Sequence, residues 1–297
     1  MSPKYFFFFA RHIEVSVIND IHRLFFDQVG DRIECEFYQC QEKVDMEVLI
    51  KQKIAAGYNH FIACGGDGTF SLLATPLLHS DCRVGIIPLG SANVLAHELD
   101  LPLTYPEALQ VVLAEENILR IDSFKSTQGV FFTTIDVGLN SIAIKQTSRR
   151  LKKLLGVWAY WWQGIKTLFR LHPYQFTLDT GMKSYLVPAT NIVVANTGAV
   201  LNKKLRMSTK VSIVDGTFSI FILKSKSIWD MLHVLGSRIF HYPANKHVLE
   251  SLHDLTQVQI SCDCVLPVQG DGDIIGNLPI SIKIIPQAIQ VIVGKKN

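Results

Sequence analysis

The sequence predicts two domains: an α/β domain with a parallel sheet, followed by an all-β domain in the form of a sandwich or barrel. The length of 297 residues is too great for one typical core and suits two domains of about 100–200 residues. Strand-like and helix-like segments alternate in the first part, whereas short apolar runs separated by Gly, Pro, Asn and Asp fill the second. The change of pattern near residue 122 predicts domains at 1–122 and 123–297.

The alternating segments of the first part predict a parallel sheet covered by helices on both faces. The predicted strands are Tyr5–Ala10, Arg32–Gln39, His60–Cys64 and Arg83–Pro88. The predicted helices are Ile21–Val29, Val44–Ala56, Phe70–Leu78, the segment after Asn93, and Pro106–Ala114, with Pro76 expected to shorten the third. Ligands of such sheets bind at the carboxyl ends of the strands, so the loops there are the first candidates for a site.

The first candidate loop is Gly65-Gly66-Asp67-Gly68-Thr69, between a buried strand and a helix. Three glycines in four positions allow a sharp turn and bring backbone N–H groups close to a ligand. A helix start adds unpaired N–H groups and the positive end of the helix dipole, so the loop predicts an anion site. Asp67 is then a candidate to hold a metal ion, a sugar hydroxyl or a reacting proton, although Gly-Asp-Gly is also common in turns.

A second candidate loop follows the next predicted strand. Gly90 can make the turn, Ser91 can cap a helix, and Asn93 places an amide at the first turn of the segment VLAHEL. Gly-Ser before a helix is ordinary capping and indicates little by itself. Because this loop lies one strand after Gly65–Thr69, it predicts a second phosphate-side loop at the same sheet edge.

Short apolar or alternating segments predict the strands of the second domain. They are Val130–Val137, Phe176–Leu178, Ser184–Val187, Ile192–Ala195, Phe218–Leu223, Gln257–Ile260, Val265–Val268, Ile280–Ile285 and Ile289–Val293. One helix interrupts them, because apolar residues including Trp158, Trp161 and Trp162 follow helical spacing within residues 149–170. Its basic surroundings and tryptophans are typical of a segment that docks on anionic lipid, and a core-facing helix with a solvated basic side fits equally.

The amino-acid composition limits the functional classes to which the protein can belong. A net charge of +3 is too small to indicate a nucleic-acid partner, and 48% hydrophobic with 19% charged residues is typical of a globular chain. No signal peptide and no apolar window of about 18 residues are recognised. The six cysteines show no C-x-x-C pair and no zinc spacing, which predicts reduced thiols. We therefore expect a cytoplasmic protein that binds peripherally at the inner membrane face through helix 149–170.

Three blocks of the sequence together resemble the bacterial diacylglycerol kinase and sphingosine kinase family of lipid kinases. They are GGDGT at 65–69, VGIIPLGSANVLAHEL at 84–99, and QGDGD at 269–273 followed by LPISIKIIP. The resemblance covers nearly the whole chain in the same order. It implies an α/β nucleotide-binding domain at 1–122, a β-sandwich lipid-substrate domain at 123–297, and a site in the cleft between them.

The resemblance also implies roles for individual residues. Asp271-Gly272-Asp273 matches the family's D-G-E, whose acidic residues serve as catalytic base or magnesium ligand, and Asp67 belongs to the metal or nucleotide side. Asp215 keeps the first acid of a D-G-x-L-D motif that binds a structural magnesium. Asp-Gly is also favoured in a hairpin turn between strands, and the motif can serve both purposes. The residues implied to bind ATP are Gly65, Gly66, Asp67, Gly68, Thr69, Gly90, Ser91 and Asn93.

The implied reaction transfers phosphate from ATP, with Mg²⁺, to the hydroxyl of a diacylglycerol-like or sphingoid lipid. Two alternatives stay open: a catalytically degenerate homologue that binds lipid or nucleotide, and an NAD kinase-type phosphotransferase. The degenerate alternative is motivated by three departures from the family pattern. Arg11, Glu14 and Ser16 stand near the place of the usual N-P-x-S-G loop, Ser71-Leu72 replaces an Asn-Glu pair, and Ser219 replaces the second acid of the D-G-x-L-D motif. The oligomeric state is left open.

Overall fold

The chain forms two compact units in the computed structural model. Unit 1 contains the chain up to Ser123, Leu201–Lys203, and the segment from Pro286 onward; unit 2 contains Phe124–Val200 and Lys204–Ile285. The C-terminal segment thus returns to the first unit, whereas the sequence division assigns it to the second domain. The structure describes residues 3–30, 33–41, 44–138, 173–202, 205–206, 211–225, 227, 229–230, 233, 236–237, 245 and 247–294.

Unit 1 is an α/β domain, as predicted. Its strands are β1 (Tyr5–Phe9), β2 (Cys35–Gln39), β3 (His60–Gly65) and β4 (Arg83–Pro88), with the first part of β5 (Asn117–Ser126) and the last part of β18 (Ile280–Val293). Its helices are α1 (Val15–Val29), α2 (Met46–Ala55), α3 (Asp67–Ala74), α4 (Val94–Glu98) and α5 (Tyr105–Ala114), and Thr75–Leu77 forms a 3₁₀ turn. As Pro76 predicts, α3 ends before it.

The sheet of unit 1 has the strand order β2-β1-β3-β4-β18, and its neighbouring strands are parallel. Every residue of β1 is buried, which explains its continuous apolar sequence, and Phe7 stacks on Phe37 at 4.5 Å. The chain moves from β1 to β2 on one side and then to β3 on the other. The crevice at the carboxyl ends of β1 and β3 is therefore the topological switch point, where sheets of this kind bind ligands.

Two helices of unit 1, α1 and α3, begin several residues earlier than the sequence predicts. Helix α1 starts at Val15 instead of Ile21, because polar residues occupy its exposed side while Ile21 and Phe25 supply the buried face. Helix α3 starts at Asp67 instead of Phe70, so the second half of the glycine-rich loop is itself the first helical turn. The N–H groups of that turn consequently belong to a helix N-terminus.

Unit 2 is an antiparallel β-sandwich. Its strands are β6 (Gly129–Phe131), β7 (Thr134–Gly138), β8 (Tyr174–Asp179), β9 (Ser184–Ala189), β10 (Asn191–Ala195), β11 (Ala199–Asn202), β12 (Leu205–Arg206), β13 (Phe218–Leu223), β14 (Leu249–Leu255), β15 (Gln257–Cys262), β16 (Pro267–Gly270) and β17 (Asp273–Asn277), together with the rest of β5 and β18. One sheet has the order β14-β13-β10-β7-β16-β17, and the other contains β9-β8-β15-β18. Buried side chains from both sheets, among them Ile135 and Val194 from one and Phe176 and Ile260 from the other, share one core.

The predicted segments Ile280–Ile285 and Ile289–Val293 form the single strand β18. Their apparent separation comes from Gln287, which has a φ of 49° and donates its backbone N–H to the buried carboxylate of Asp122 at 2.7 Å. The polar interruption therefore marks an irregularity within one strand. The predicted basic, tryptophan-rich helix at 149–170 lies outside the described residues. No helix among the described residues has the length and apolar character needed to span a bilayer.

Candidate active site

The two glycine-rich loops of unit 1 are in direct contact at the carboxyl ends of β3 and β4. The backbone N–H of Leu89 donates to the carbonyl of Gly65 at 2.9 Å. A Cβ atom on Gly90 would lie 2.5 Å from the Cα of Gly66, and one on Gly65 would lie 2.3 Å from Thr69 Oγ1. Only glycine fits this approach of two backbones, so the structure brings the two predicted loops together.

Asn93 fixes the shape of the second loop. Its backbone has a φ of 47°, in the left-handed region that Asn tolerates better than most residues. Its Oδ1 accepts the N–H of Gly90 at 3.0 Å, and its Nδ2 donates to the carbonyl of Gly90 at 2.9 Å. The side chain of Asn93 therefore closes the loop on itself and does not cap helix α4.

Asp67 caps α4 from the neighbouring loop. Its two carboxylate oxygens accept the backbone N–H groups of Val94 at 3.0 Å and of Leu95 at 2.8 Å, the first two residues of that helix. A carboxylate at this place pairs orphan N–H groups and complements the helix dipole. This is a structural reason for Asp67 that sequence reasoning missed, because the acceptor and its donors are 27 and 28 residues apart.

The same edge of the sheet presents groups suited to an anion. Helix α3 begins directly after Gly66, which provides no side-chain cap, and Gly68 in its first turn is exposed. Ser91 is exposed in the facing loop. Backbone N–H groups at a helix N-terminus and a glycine-rich approach favour phosphate. The arrangement can therefore hold phosphate groups at the ends of β3 and β4.

The loop after β1 completes this edge, and sequence reasoning gave it no role in shaping a site. Gln39, at the end of β2, donates its Nε2 to the carbonyls of Arg11 at 3.2 Å and Ile13 at 2.8 Å. Arg11, Gln39, Cys40 and Gln41 line an open cavity of about 310 Å³. Gln39 therefore holds the segment that contains Arg11 and Ile13 in place. This segment occupies the position of the N-P-x-S-G loop in the family pattern. The signal that could have found it is a polar side chain at the carboxyl end of a strand, where it can reach the neighbouring loop.

In unit 2, Asp271 and Gly272 form the two-residue turn of a hairpin. Their φ values are 46° and 96°, and Gly270 pairs with Asp273 across the turn between β16 and β17. Positive φ at both central positions is the reason why Asp-Gly is favoured in such turns. The hairpin interpretation of this motif is confirmed.

The carboxylate of Asp271 is held by the segment before β7. Oδ2 accepts the N–H of Phe132 at 2.9 Å, and Oδ1 accepts the N–H and Oγ1 of Thr133 at 2.8 and 2.6 Å and the N–H of Thr134 at 3.2 Å. Asp271 N–H in turn donates to the carbonyl of Thr134 at 3.0 Å. Asp273, two residues later, is exposed. The two acids therefore differ: Asp271 organises its surroundings, and Asp273 faces solvent.

Asp215 lies in an exposed turn before β13. Its Oδ1 accepts both the N–H and the Oγ1 of Thr217 at 2.9 Å. Ser219, which stands where the motif has its second acid, contacts His253 Nδ1 at 2.8 Å. Among the described residues, no three His, Cys, Asp or Glu side chains cluster as metal ligands. A structural magnesium site at Asp215 does not fit this donor set, because one carboxylate alone does not enclose the ion.

A buried histidine of unit 1 lies at the opposite edge of the sheet. His60 opens β3, and burial lowers its pKa, an effect that the neighbouring Glu115 carboxylate partly opposes. Glu115 lies 3.3 Å from His60 Nε2 and also pairs with Arg83. Because His60 lies at the amino end of the strand, this network belongs to the framework and not to the candidate site.

Two family models match the chain, one in its first part and one in its second. Residues 18–126 match the diacylglycerol kinase catalytic domain, and residues 133–293 match the YegS C-terminal NAD kinase beta sandwich-like domain. The chain therefore belongs to the lipid kinase family of diacylglycerol kinases and YegS-like proteins. The resemblance inferred from the three sequence blocks is confirmed.

Individual relatives agree with this assignment. The chain is 26% identical over 253 residues to an uncharacterized protein, sll0036, of Synechocystis, covering 83% of this chain but 58% of that protein. It is 23% identical over 266 residues to a diacylglycerol kinase of Staphylococcus carnosus, covering 88% of this chain and 85% of that protein. The Staphylococcus carnosus protein is thus similar to this chain in length, whereas this chain spans little more than half of the Synechocystis protein.

Solved structures share the fold. A crystal structure of a diacylglycerol kinase from Bacillus anthracis matches with a TM-score of 0.71 and 16% identity, covering 98% of this chain and 97% of that chain. Yeast NADH kinase, solved with NADH, matches with a TM-score of 0.56 and 10% identity, covering 100% of this chain and 85% of that chain. At these identities the likeness concerns the fold alone.

Proposed function

We propose that the chain is an ATP-dependent lipid kinase that phosphorylates the hydroxyl of a diacylglycerol-like or sphingoid lipid. The observation that carries the proposal is the contact between the two glycine-rich loops at the ends of β3 and β4. Family membership supports phosphoryl transfer to a lipid, and the named relative from Staphylococcus carnosus supports diacylglycerol as the class of acceptor.

In this proposal unit 1 binds the phosphates of ATP. The proposed donors are backbone N–H groups at the exposed Gly68 and Ser91 of the two loops, and Asp67 and Asn93 fix the loop backbones through the hydrogen bonds described above. A phosphoryl group is stabilised by preorganised donors that do not have to move during the reaction. Arg11 beside the loop after β1 adds a positive charge at the same sheet edge.

The acidic residues of unit 2 are the proposed catalytic carboxylates. A base near the acceptor hydroxyl takes its proton as the oxygen attacks phosphorus. Asp271 and Asp273 are the candidates, and the structure favours different tasks for them: Asp271 positions the hairpin, while Asp273 presents an exposed carboxylate. Mg²⁺ bound with ATP needs only one or two carboxylates besides the phosphates, and it would neutralise phosphate charge. Asp271, Asp273 and Asp67 remain the candidates for that ligand.

Binding to the membrane is the remaining element of the proposal. A lipid substrate requires the enzyme to work at a bilayer surface, and the basic segment 149–170 with its tryptophans supplies the composition for peripheral binding to anionic lipid. We propose a peripheral enzyme of the cytoplasmic membrane face.

An assay with labelled ATP tests the proposal against its alternatives. The purified chain is incubated with Mg²⁺ and γ-labelled ATP, in parallel with NAD and with vesicles of phosphatidylglycerol containing diacylglycerol or sphingosine. Label in a lipid phosphate is the expected result. Label in NADP would instead establish the NAD kinase-type alternative, which the fold likeness to yeast NADH kinase keeps open. ATP binding by calorimetry without transfer to any acceptor would establish the non-catalytic alternative.

A further inference from the structure

Two thiols that the proposed kinase function does not use lie side by side in unit 2. Cys262 is the last residue of β15, and Cys264 follows in the bend after the strand. Their Sγ atoms are 3.1 Å apart. Cys262 is half-buried and Cys264 is exposed, so a reagent in solution can reach the pair.

The local backbone explains this proximity. Side chains two residues apart in a strand point to the same face, and Cys264 lies in the bend directly after β15. The sulfur atoms of a disulfide are about 2.05 Å apart, so a bond requires them to approach by about 1 Å. Cys264 can make this movement because it lies in an exposed bend, whereas Cys262 packs against the core of the sandwich and stays in place.

We propose that Cys262 and Cys264 are a reversible modification site, a dithiol that small-molecule disulfides such as oxidised glutathione convert to an internal disulfide. The two sulfur atoms, their exposure and the bend carry this inference. It does not depend on the kinase activity and goes beyond it.

The chemistry proceeds in two exchanges. One of the two cysteines attacks as thiolate, the sulfur–sulfur bond of oxidised glutathione breaks, and one glutathione thiolate leaves. The other cysteine then attacks the sulfur of the first and releases the second glutathione, and each departing glutathione takes up one of the two protons. Two protein thiols are thereby oxidised to one disulfide, and one glutathione disulfide is reduced to two thiols.

The hydrogen bond between the two thiols couples their reactions. That bond, together with burial and the nearby Asp263 carboxylate, raises the pKa of Cys264 to about 11. Conversion of either sulfur to a mixed disulfide removes the hydrogen bond and leaves the other sulfur beside the bond that it attacks.

Another pair of cysteines provides an internal control. Cys35 in β2 and Cys40 just after it are five positions apart along an extended segment, which corresponds to roughly 16 Å between their Cα atoms. Two cysteines more than about 7 Å apart cannot form a disulfide without backbone movement. Trypsin releases each pair in one peptide, residues 33–43 and 247–283, with no other cysteine in either.

The full chain is incubated in a series of reduced and oxidised glutathione mixtures. Free thiols are then blocked with N-ethylmaleimide under denaturing conditions, and the masses of the tryptic peptides are measured by mass spectrometry. In excess oxidised glutathione, peptide 247–283 should be about 2 Da lighter than its dithiol form and carry no maleimide, while peptide 33–43 should contain no internal disulfide. Dithiothreitol should restore two maleimide adducts to peptide 247–283.

Single variants complete the test. Cys264→Ser should stop the reaction at one glutathione on Cys262, because the second sulfur is missing. The proposal is overturned if peptide 247–283 of the unaltered chain keeps two maleimides, or carries two glutathiones, across the whole series.

Discussion

Replacing Gly90 with Ala should impair ATP binding by forcing the two phosphate-side loops apart. The added Cβ would lie 2.5 Å from the Cα and 3.0 Å from the N of Gly66, and 2.8 Å from Asn93 Oδ1. Two of these atoms belong to the backbone of the other loop and cannot rotate away. The loops must therefore separate by roughly 1 Å before the contact becomes an ordinary one.

The expected magnitude follows from the same contact. Inserting a methyl group into a packed site costs about 1–3 kcal/mol, which is less than the usual 5–15 kcal/mol stability of a folded domain. The chain should therefore fold, while a displacement of about 1 Å in a phosphate site lowers turnover by roughly 100-fold. Gly66→Ala should have a smaller effect, because its Cβ would lie 3.3 Å from the Cα of Gly90.

Calorimetry with ATP and Mg²⁺ measures the effect, and Gly294→Ala is the matched control. The Cβ of that variant would meet nothing closer than Val111 Cγ2 at 3.8 Å, in the same unit of the chain. We expect ATP affinity to fall by at least about tenfold in Gly90→Ala and to stay unchanged in Gly294→Ala. The reasoning is refuted if Gly90→Ala binds ATP as tightly as the control while its unfolding transition remains cooperative.

Two further predictions concern stability. Asp271→Asn should lower the free energy of unfolding by about 1–3 kcal/mol, because an amide replaces one of two oxygens that accept backbone N–H groups. Asp273→Asn should change the free energy of unfolding by less than about 0.5 kcal/mol, because Asp273 is exposed. Urea unfolding followed by tryptophan fluorescence measures both, and equal stabilities would contradict the structural role of Asp271. Because burial lowers the pKa of His60, the unfolded chain takes up more protons as pH falls below the ordinary histidine value of 6.5, so stability should decline there. The melting temperature of the unaltered chain should then fall more steeply between about pH 7.5 and 5 than that of His60→Gln, and parallel curves would exclude this cause.

The elements that the sequence predicts well are those whose signal is local. Strands β1, β3 and β4 are continuous apolar runs because their residues are covered on both faces, and the glycines of the two loops mark turns directly. By contrast, β14, with the sequence LESLHDL, mixes polar and apolar residues because it lies at the edge of its sheet. Such an edge strand lacks a strong pattern.

The sequence indicated which residues make up the candidate site, but not the hydrogen bonds that hold them. Spacing and glycine content indicated Gly65–Thr69 and Gly90–Asn93, and the parallel sheet placed both at one edge. The sequence could not show that Asp67 caps α4 or that Asp271 holds residues 132–134, because these hydrogen bonds join residues 27 to 139 positions apart. Hydrogen bonds of this kind depend on the tertiary fold and leave no periodic trace.

The different surroundings of Asp271 and Asp273 decide which of them is the better catalytic variant. The structure gives Asp271 a role in holding its hairpin, so loss of activity in Asp271→Asn would not separate catalysis from positioning. Asp273→Asn is the sharper variant, since its carboxylate is exposed and its removal should leave the fold intact. If Asp273 is the base or a magnesium ligand, this variant should lose turnover at unchanged stability.

Identification of the product tests the central claim most directly. The chain is incubated with Mg²⁺, ATP and a total lipid extract, and the lipids are compared by mass spectrometry with those of a Gly90→Ala reaction. We predict a new lipid phosphate about 80 Da heavier than an alcohol of the extract, formed by the unaltered chain and strongly reduced with the variant. If the chain binds ATP but no new phosphorylated lipid is found in the extract, the assignment as a lipid kinase is contradicted.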